Sequence, residues 1–291
     1  MVKFGFHVSI SGSVDKAVDR ALEQDCDVFQ MFTGNPRSWA SRDFEEDEIE
    51  AFKEKKLKAG LDPVFGHMPY ILNLASPDDI VYGRSIESLK VGMRRCRALG
   101  VSMLVTHIGS HLGQGPDLGV ARVVGALNEA IKTEARITVL LENGSGSANK
   151  VGSSFEELQL ILERISDVSR VAICLDTCHA FAAGYELRTI GGLASTIDSF
   201  VETIGLERLK LVHLNDSVGG LATGIDHHEH IGLGEIGTDG FRVILNSPLA
   251  EIPMIMETPI DERRGNADNM QIVRSLAGSW ISTTPGNIPQ Y

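Results

Sequence analysis

Eight short runs of apolar, β-branched and aromatic residues recur along the chain, and longer amphipathic segments separate them. The runs are VKFGF (2–6), VFQMF (28–32), VFG (64–66), MLVT (103–106), ITVLL (137–141), VAICL (171–175), LKLV (209–212) and IPMIM (252–256). Near-continuous apolar runs are typical of parallel strands that are buried on both faces. Their starts lie about 25 to 45 residues apart, which leaves room for a strand, a loop and a crossover helix. This pattern predicts a single α/β domain folded as a (β/α)8 TIM barrel, with a doubly wound open sheet as the alternative.

The segments between the runs carry helix signals. One segment, 43–59, stops at Gly60, and another, 77–99, stops at Gly100. Ser154 and Glu157 fit a capping box ahead of the next apolar stretch. We predict that residues 1–280 form the barrel. Residues 281–291, which include two prolines and one glycine, are expected to form a loosely ordered tail.

A polar residue follows each of the eight runs. In chain order these residues are His7, Thr33, His67, His107, Glu142, Asp176, His213 and Glu257. The carboxyl ends of barrel strands converge on one mouth, where active sites are built. A lone histidine after a strand is usually an ordinary surface or core residue. Seven His, Asp or Glu endings in one register would instead leave imidazoles and carboxylates unpaired unless a cation joined them. The sequence therefore predicts a site for more than one metal ion at this mouth.

The residue types in this set narrow the choice of metal and of chemistry. Imidazole with carboxylate, and without thiolate, favours zinc over manganese or iron. Two or more metal ions about 3.5–4 Å apart are typical of enzymes that hydrolyse phosphate esters. Phosphate-ester hydrolysis is therefore the favoured reaction.

Seven segments of the sequence resemble the endonuclease IV family. They are HMPYILNL (67–74), THIGSH (106–111), LEN (141–143), CLDTCHAFAAGY (174–185), HLNDS (213–217), DHHEHIG (226–232) and METP (256–259). The resemblance runs from residue 1 to about residue 278, and the DTCH and HLND blocks are highly specific together. It implies the same barrel fold, with the active site at the carboxyl ends of the strands.

The resemblance also implies three zinc ions, with manganese as an alternative at one site. The implied ligands are His67, His107 and Glu142 for the first ion, Glu142, Asp176, His213 and Glu257 for the second, and His179, Asp226 and His228 for the third. Glu142 and Glu257 are the implied catalytic carboxylates.

The activity implied by the resemblance is repair of damaged DNA. The enzyme would hydrolyse the phosphodiester 5′ to an abasic deoxyribose, leave a 3′-hydroxyl and a 5′-deoxyribose phosphate, and trim blocked 3′ ends. Its substrate would be double-stranded DNA, bound by a monomer. Arg37 and Tyr70 stand at the positions that insert into the duplex. An Arg plane and an aromatic ring can replace lost base stacking.

Charge and cysteine content set further limits. The net charge of −12 argues against a general nucleic-acid binder, although bound cations would reverse the potential at the site. No apolar stretch is long enough to span a membrane, and the amino terminus lacks the pattern of a signal peptide. Four cysteines are too few for a disulfide framework. We therefore expect a reduced, cytoplasmic protein without a membrane partner.

Two other functions and one motif fit the sequence less well than a zinc-dependent nuclease does. A sugar isomerase or epimerase would use a related barrel with Mg²⁺ or Mn²⁺, but five histidines among nine candidate ligands favour zinc. A scaffold or metal-binding barrel would not need Arg37 and Tyr70 at its mouth. The stretch GLGEIG (232–237) matches a dinucleotide-binding pattern, yet no strand precedes it, and we interpret it as a turn before a helix at Thr238.

Departures from the family pattern concern DNA contacts. Gly34 and Ser38 stand where larger polar residues occur, His227 replaces a basic residue, and the loop 143–149 is rich in glycine and serine. None of them removes an implied metal ligand.

Overall fold

Eight parallel strands close into a barrel in the computed structural model, which describes residues 2–39, 42–134 and 136–278. The barrel strands are β1 (Phe4–Val8), β2 (Phe29–Phe32), β3 (Val64–His67), β4 (Met103–His107), β5 (Thr138–Glu142), β6 (Val171–Asp176), β7 (Leu209–His213) and β10 (Met254–Met256). The two strands between β7 and β10 in the chain, β8 (Asp216–Ser217) and β9 (His228–Glu229), form a separate hairpin. Their order around the barrel is their order in the chain, and β1 pairs with β10, with Phe4 opposite Met254. This closure confirms the predicted TIM barrel and is incompatible with the open sheet. The predicted tail 281–291 lies outside the described residues.

Helices follow the strands and cover the outside of the barrel, apart from the short helix Thr177–Ala183, which lies at the mouth. They are α1 (Lys16–Glu23), α2 (Glu46–Ala59), α3 (Asp79–Leu99), α4 (Pro116–Ile131), α5 (Phe155–Arg164), α6 (Thr177–Ala183), α7 (Ile190–Thr203), α8 (Gly237–Ile244) and α9 (Asn266–Leu276). The predicted ends at Gly60 and Gly100 are confirmed, and both glycines have the left-handed conformation that glycine favours, with φ of 66° and 67°. α3 begins two residues later than predicted, because Oδ1 of Asp78 caps it by accepting the N–H groups of Ile80 and Val81.

Half of the predicted capping box at α5 is present. The hydroxyl oxygen of Ser154 accepts the N–H of Glu157 at 3.2 Å. The Glu157 carboxylate, however, accepts the N–H groups of Gly152 and Ser153 instead of that of Ser154. The carboxylate therefore fastens the incoming loop, and the reciprocal bond that completes the box is replaced.

The barrel interior explains why the polar strand ends converge. A layer of side chains fills the barrel below the mouth, and it consists of Val28, Phe65, Val105, Leu140, Ala172, Cys174, Leu211 and Ile255. Side chains two residues apart in a strand point to the same face. Six of the candidate ligands stand two residues beyond a member of this layer, as His107 does after Val105 and Glu142 after Leu140. Strand geometry therefore aims them into the mouth.

Other features agree with the composition. All four cysteines are buried as free thiols. Among the described helices, none is both long enough and apolar enough to cross a membrane.

Candidate metal centre

The nine predicted metal ligands form three clusters at the carboxyl ends of the strands. The clusters are His67, His107 and Glu142; Glu142, Asp176, His213 and Glu257; and His179, Asp226 and His228. Within each cluster, one ligand atom from every residue lies within 4.8 Å of the others. Asp176 and His228 also form a group with the thiol of Cys178, which the sequence analysis assigned no role. The fold therefore brings the nine residues together, in the groupings that the family resemblance implies.

Glu142 occupies the centre of the arrangement and belongs to two clusters. Its carboxylate oxygen Oε2 lies 3.3 Å from Nε2 of His67 and 3.6 Å from Nε2 of His107. The other oxygen, Oε1, lies 3.3 Å from Nδ1 of His213. Burial alone would raise the pKa of Glu142, but His107 and His213 outweigh it and hold the pKa well below its usual range. The carboxylate is therefore ionised although it is buried.

Four of the five histidines bind an oxygen outside the cluster with one ring nitrogen. The pairs are Nδ1 of His67 with the carbonyl of Met68 at 2.6 Å, Nδ1 of His179 with the carbonyl of Asn143 at 3.0 Å, Nδ1 of His228 with the carbonyl of Glu257 at 3.2 Å, and Nε2 of His213 with Oε1 of Gln30 at 2.9 Å. A carbonyl oxygen only accepts, so these nitrogens carry the ring protons. In a neutral ring, the other nitrogen then turns a lone pair towards the carboxylates.

A cation placed between these ring nitrogens and the carboxylate oxygens would bind to both. Ligand atoms around a tetrahedral zinc with bonds of about 2.0–2.1 Å lie roughly 3.3–3.4 Å apart. The contacts of Glu142 with His67 and His213, both 3.3 Å, match this separation. Nε2 of His228 is buried without a hydrogen-bond partner among the described residues, 3.5 Å from Oδ2 of Asp176. Histidines that bind metals typically donate their second ring N–H to an oxygen, as here. The residues therefore fit metal ions.

The pKa shifts of His179, Asp226 and His107 also fit bound cations. Burial opposes protonation of His179, yet nearby carboxylates, first Asp176 and then Asp226, raise its pKa to about 10. Burial likewise opposes ionisation of Asp226, but His179 outweighs it and lowers the pKa to about 2. At His107, where burial outweighs the neighbouring Glu142, the pKa falls to about 4. The mouth thus favours positive charge beside Asp226 and a neutral ring at His107.

Two polar residues that the sequence analysis did not select orient the cluster. Gln30 donates from its amide to Oε1 of Glu257 at 2.8 Å and accepts from His213 through Oε1. Asn215 donates to Oδ2 of Asp176 at 2.7 Å and accepts the backbone N–H of Glu257 at 2.8 Å. A signal for Gln30 existed in the sequence, because it is the only polar residue of the run VFQMF.

His7 lies beside this cluster without belonging to any of the three groups. Its Nδ1 is 3.0 Å from Oε1 of Glu257, and it also contacts the Gln30 amide. Its position differs slightly from the prediction, since it lies inside β1 instead of after it. His7 therefore contacts a candidate ligand without being one itself.

The two loop-borne ligands come from a short antiparallel hairpin. β8 (Asp216–Ser217) pairs with β9 (His228–Glu229), with Ser217 opposite His228. Nε2 of His179, on α6, lies 2.9 Å from Oδ1 of Asp226. His179 itself is held by Asp176, whose Oδ1 accepts its backbone N–H at 2.8 Å and so caps α6. The helix and the hairpin together therefore build the third cluster.

Arg37 and Tyr70 line the same cleft as the clusters. The cleft has a volume of about 780 Å³, and its walls include His107, His179, Asp226, His228 and Glu257. The Tyr70 side chain is well exposed, and its backbone N–H donates to the carbonyl of Pro36, next to Arg37. Lys150 also lines this cleft, a basic residue that the sequence analysis did not select. The mouth therefore offers an aromatic ring and two cations beside the candidate metal site.

Known proteins with related sequences and structures match this chain over nearly its whole length. The family model described as "Xylose isomerase-like TIM barrel" matches residues 18–280. A relative from Methanoculleus marisnigri, named "Probable endonuclease 4", is 48% identical over 282 residues, which is 96% of this chain and 100% of the relative. The crystal structure of endonuclease IV from Thermus thermophilus superposes with a TM-score of 0.83 at 36% identity, covering 94% of this chain and 98% of that one.

More distant structures share only the fold. A D-tagatose 3-epimerase-like protein has a TM-score of 0.70 at 19% identity, covering 94% of this chain and 96% of that one. By its fold and its mouth of histidines and carboxylates, the chain is a barrel of the xylose isomerase-like class. Within that class it belongs to the endonuclease 4 family, as its relatives over the full length of the chain show, and the predicted resemblance is confirmed.

Proposed function

We propose that this protein is a DNA-repair endonuclease that hydrolyses the phosphodiester 5′ to an abasic site and leaves a 3′-hydroxyl and a 5′-deoxyribose phosphate. The observation that carries the proposal is the shared cleft, in which five candidate metal ligands stand beside Arg37 and Tyr70. The full-length similarity to proteins named endonuclease 4 supports the same activity. Residues 1–280 would form the catalytic domain.

Three zinc ions would be held by the three clusters, with manganese as an alternative at one of them. The groups are His67, His107 and Glu142; Glu142, Asp176, His213 and Glu257; and His179, Asp226 and His228. Bound ions of this kind activate water for attack on phosphorus and stabilise charge on phosphate oxygens. The donor set of five imidazoles and four carboxylates suits zinc.

The catalytic carboxylates would be Glu142 and Glu257. Glu142 is shared by two clusters, so its position fixes both together. Glu257 connects the second cluster to the third, because its side chain accepts the Gln30 amide and its carbonyl accepts Nδ1–H of His228. These contacts hold the carboxylates in place before DNA arrives, which lowers the cost of assembling the site.

Recognition of the lesion would depend on insertion of side chains more than on overall charge. Arg37 and Tyr70 approach each other through the bond between the Tyr70 N–H and the Pro36 carbonyl. An exposed ring and a guanidinium can stack on bases that lose a neighbour at an abasic site. Lys150 would add a phosphate contact, because it is a second cation, besides Arg37, in the wall of the cleft.

The same cleft would accept a duplex end, so trimming of blocked 3′ ends belongs to the proposal. Both reactions break a bond between phosphorus and a 3′ oxygen, in a diester at the abasic site and in a monoester at a 3′-phosphate end. We further propose a monomer that acts in the cytoplasm, since four buried free thiols suit a reducing compartment.

A nicking assay tests the function. A labelled duplex with one abasic site is incubated with zinc-loaded protein, beside an intact duplex, a duplex with a 3′-phosphate end and a ketose substrate. We expect a nick 5′ to the abasic site and removal of the 3′ phosphate, with the intact duplex and the ketose unchanged. Epimerisation of the ketose without a nick would overturn the proposal.

A further inference from the structure

The loop between β7 and α8 carries Asp226 and His228, and its two ends meet at one buried carboxylate. That carboxylate is Asp216, the first residue of β8, which is fully buried. Its oxygen Oδ2 accepts the N–H groups of Gly232 at 2.8 Å and Gly234 at 3.0 Å. The contact with Gly232 spans 16 residues of chain. This side chain therefore joins the two ends of the loop, in addition to the pairing of β8 with β9 nearer the loop tip.

The other oxygen of Asp216 completes a cage of backbone donors. Oδ1 accepts the N–H groups of Ser217 at 2.8 Å, Ile236 at 3.0 Å and Gly237 at 3.4 Å. Among the described residues, no lysine, arginine or histidine forms an ion pair with it. Backbone N–H groups alone therefore offset the burial of this carboxylate, although burial still raises the pKa of Asp216.

This cage explains the GLGEIG stretch. Gly232 and Gly237 have φ of 81° and 70°, a left-handed conformation that side chains disfavour. A Cβ on Gly234 would lie 2.4 Å from the Ser217 carbonyl oxygen and 2.6 Å from Oδ1 of Asp216. The stretch has the form of a phosphate-binding loop, but the anion that it encloses belongs to the chain itself. The predicted turn is correct, and the helix begins at Gly237, one residue before Thr238.

The far part of the loop rests on α6, which carries His179. The N–H of Ala222 donates to the carbonyl of Phe181 at 3.1 Å, and that of Gly224 donates to the carbonyl of Ala182 at 3.0 Å. The position of the loop against α6 therefore sets the 2.9 Å approach of Asp226 to His179.

We propose that Asp216 is a positioning residue that forms the third metal cluster by closing this loop; the proposal rests on the metal centre proposed above. A loop of this length loses considerable conformational entropy when its ends are joined. The caged carboxylate offsets that loss in the folded protein, so Asp226 and His228 already face His179 before a metal ion binds. Asp216 belongs to none of the three clusters, and it would act through the two ligands.

The substitution Asp216→Asn tests this role in the full-length protein. Asparagine keeps the size of the side chain, but its NH₂ group would face backbone N–H donors where an oxygen now accepts. We expect the protein to bind one zinc ion fewer than the wild type. We also expect kcat on abasic duplex to fall by about 10–100-fold, the usual cost of losing a partner that orients a metal ligand. Affinity for the duplex should change much less.

Two further measurements separate positioning from a general loss of structure. Amide hydrogen exchange should become faster in residues 218–227 of the variant, and not in the barrel strands. The matched control is Asp239→Asn on α8, since the Asp239 side chain is 92% exposed and pairs with Arg242 in the next turn. This control should keep the zinc content, exchange rates and kcat of the wild type.

Every outcome decides the proposal. A variant with wild-type zinc content and kcat would overturn it, and so would loss of all the ions together. If Asp216→Asn does not fold, Gly234→Ala retains the carboxylate but crowds the cage, and it should show the same selective loss of one ion. A wild-type protein that binds zinc but leaves abasic DNA intact would overturn the proposed function. The zinc count and the exchange of residues 218–227 would still test Asp216 in that case.

Discussion

Glu142 and Asp216 are both buried carboxylates at the same mouth of the barrel, but their surroundings are opposite. Asp216 accepts five backbone N–H groups, the nearest at 2.8 Å. Glu142 instead faces ring nitrogens at 3.3–3.6 Å, and the ring of His67 has its proton on the far side, towards Met68. A buried carboxylate enclosed by backbone donors is hydrogen-bonded without a cation, whereas one enclosed by imidazoles is ionised only beside positive charge, on the rings or on bound ions. This difference separates a structural acid from a candidate metal ligand.

The largest effect is expected at Glu142. Glu142→Gln removes the charge shared by two clusters, so at least one zinc ion should be lost. The cleavage rate should fall by several orders of magnitude, because charge stabilisation by metal ions contributes several kcal/mol. Metal analysis and the rate on abasic duplex measure both, with Glu129→Gln on the surface of α4 as the control. If Glu142→Gln cleaves at the wild-type rate, Glu142 is not a metal ligand that the reaction needs, and it does not differ from Asp216 in the way proposed.

The next effect concerns the loop-borne cluster. His228→Ala should retain the barrel and the binding of abasic DNA, bind about one zinc ion fewer, and cleave more slowly by roughly 10²–10³-fold, the scale of losing one stabilising group. Zinc content, the dissociation constant and the single-turnover rate distinguish these effects. Asp239→Asn, on the surface of α8 and away from the cleft, is the control. Lost binding with an unchanged rate would contradict the role of this cluster.

A smaller effect is expected from the residues that approach the DNA. Arg37→Ala and Tyr70→Ala should each weaken binding to abasic duplex by about 1–3 kcal/mol, the scale of a lost stacking contact. Zinc content should stay at the wild-type value, because neither residue belongs to a cluster. Fluorescence anisotropy on abasic and intact duplexes measures the difference. Equal affinities of wild type and both variants for the abasic duplex would mean that the lesion is recognised elsewhere.

The smallest effect is expected at Lys150, which lines the cleft from an exposed turn. Lys150→Ala should weaken binding to abasic and intact duplexes by similar factors, since a phosphate contact carries no lesion specificity. The slope of log K against log salt should become shallower by about 0.9, the value for one phosphate contact. Titrations at several salt concentrations measure this slope. An unchanged slope would mean that Lys150 does not contact a DNA phosphate.

The sequence predicted the barrel well because its signals are local. The runs mark the strands to within about two residues, as at β5, predicted as 137–141 and found as Thr138–Glu142. Each strand end then sets the direction of its polar side chain, so the convergence of His107 and Glu142 follows from alternation alone. The ligand groupings, by contrast, came from the family resemblance.

The supporting contacts could not be predicted in the same way. Gln30 reaches Glu257 across 227 residues, and only barrel closure between β1 and β10 brings the two ends of the chain together. The partners of Asp216 are backbone N–H groups, so the GLGEIG stretch does not indicate which acid it encloses. Such contacts depend on tertiary distances that no local pattern contains.

The cage around Asp216 has a consequence for how related sequences diverge. Its walls are main chain, so the side chains at Leu233 and Glu235 are free to change without altering the donors. Position 216 and the glycines at 232 and 234 depend on one another, because the carboxylate needs their N–H groups and leaves no room for a side chain at 234. We therefore expect these three positions, which span nineteen residues of chain, to covary among related sequences. A glycine-rich stretch can thus be retained in a family because it binds a carboxylate of the same chain, and not because it binds a phosphate.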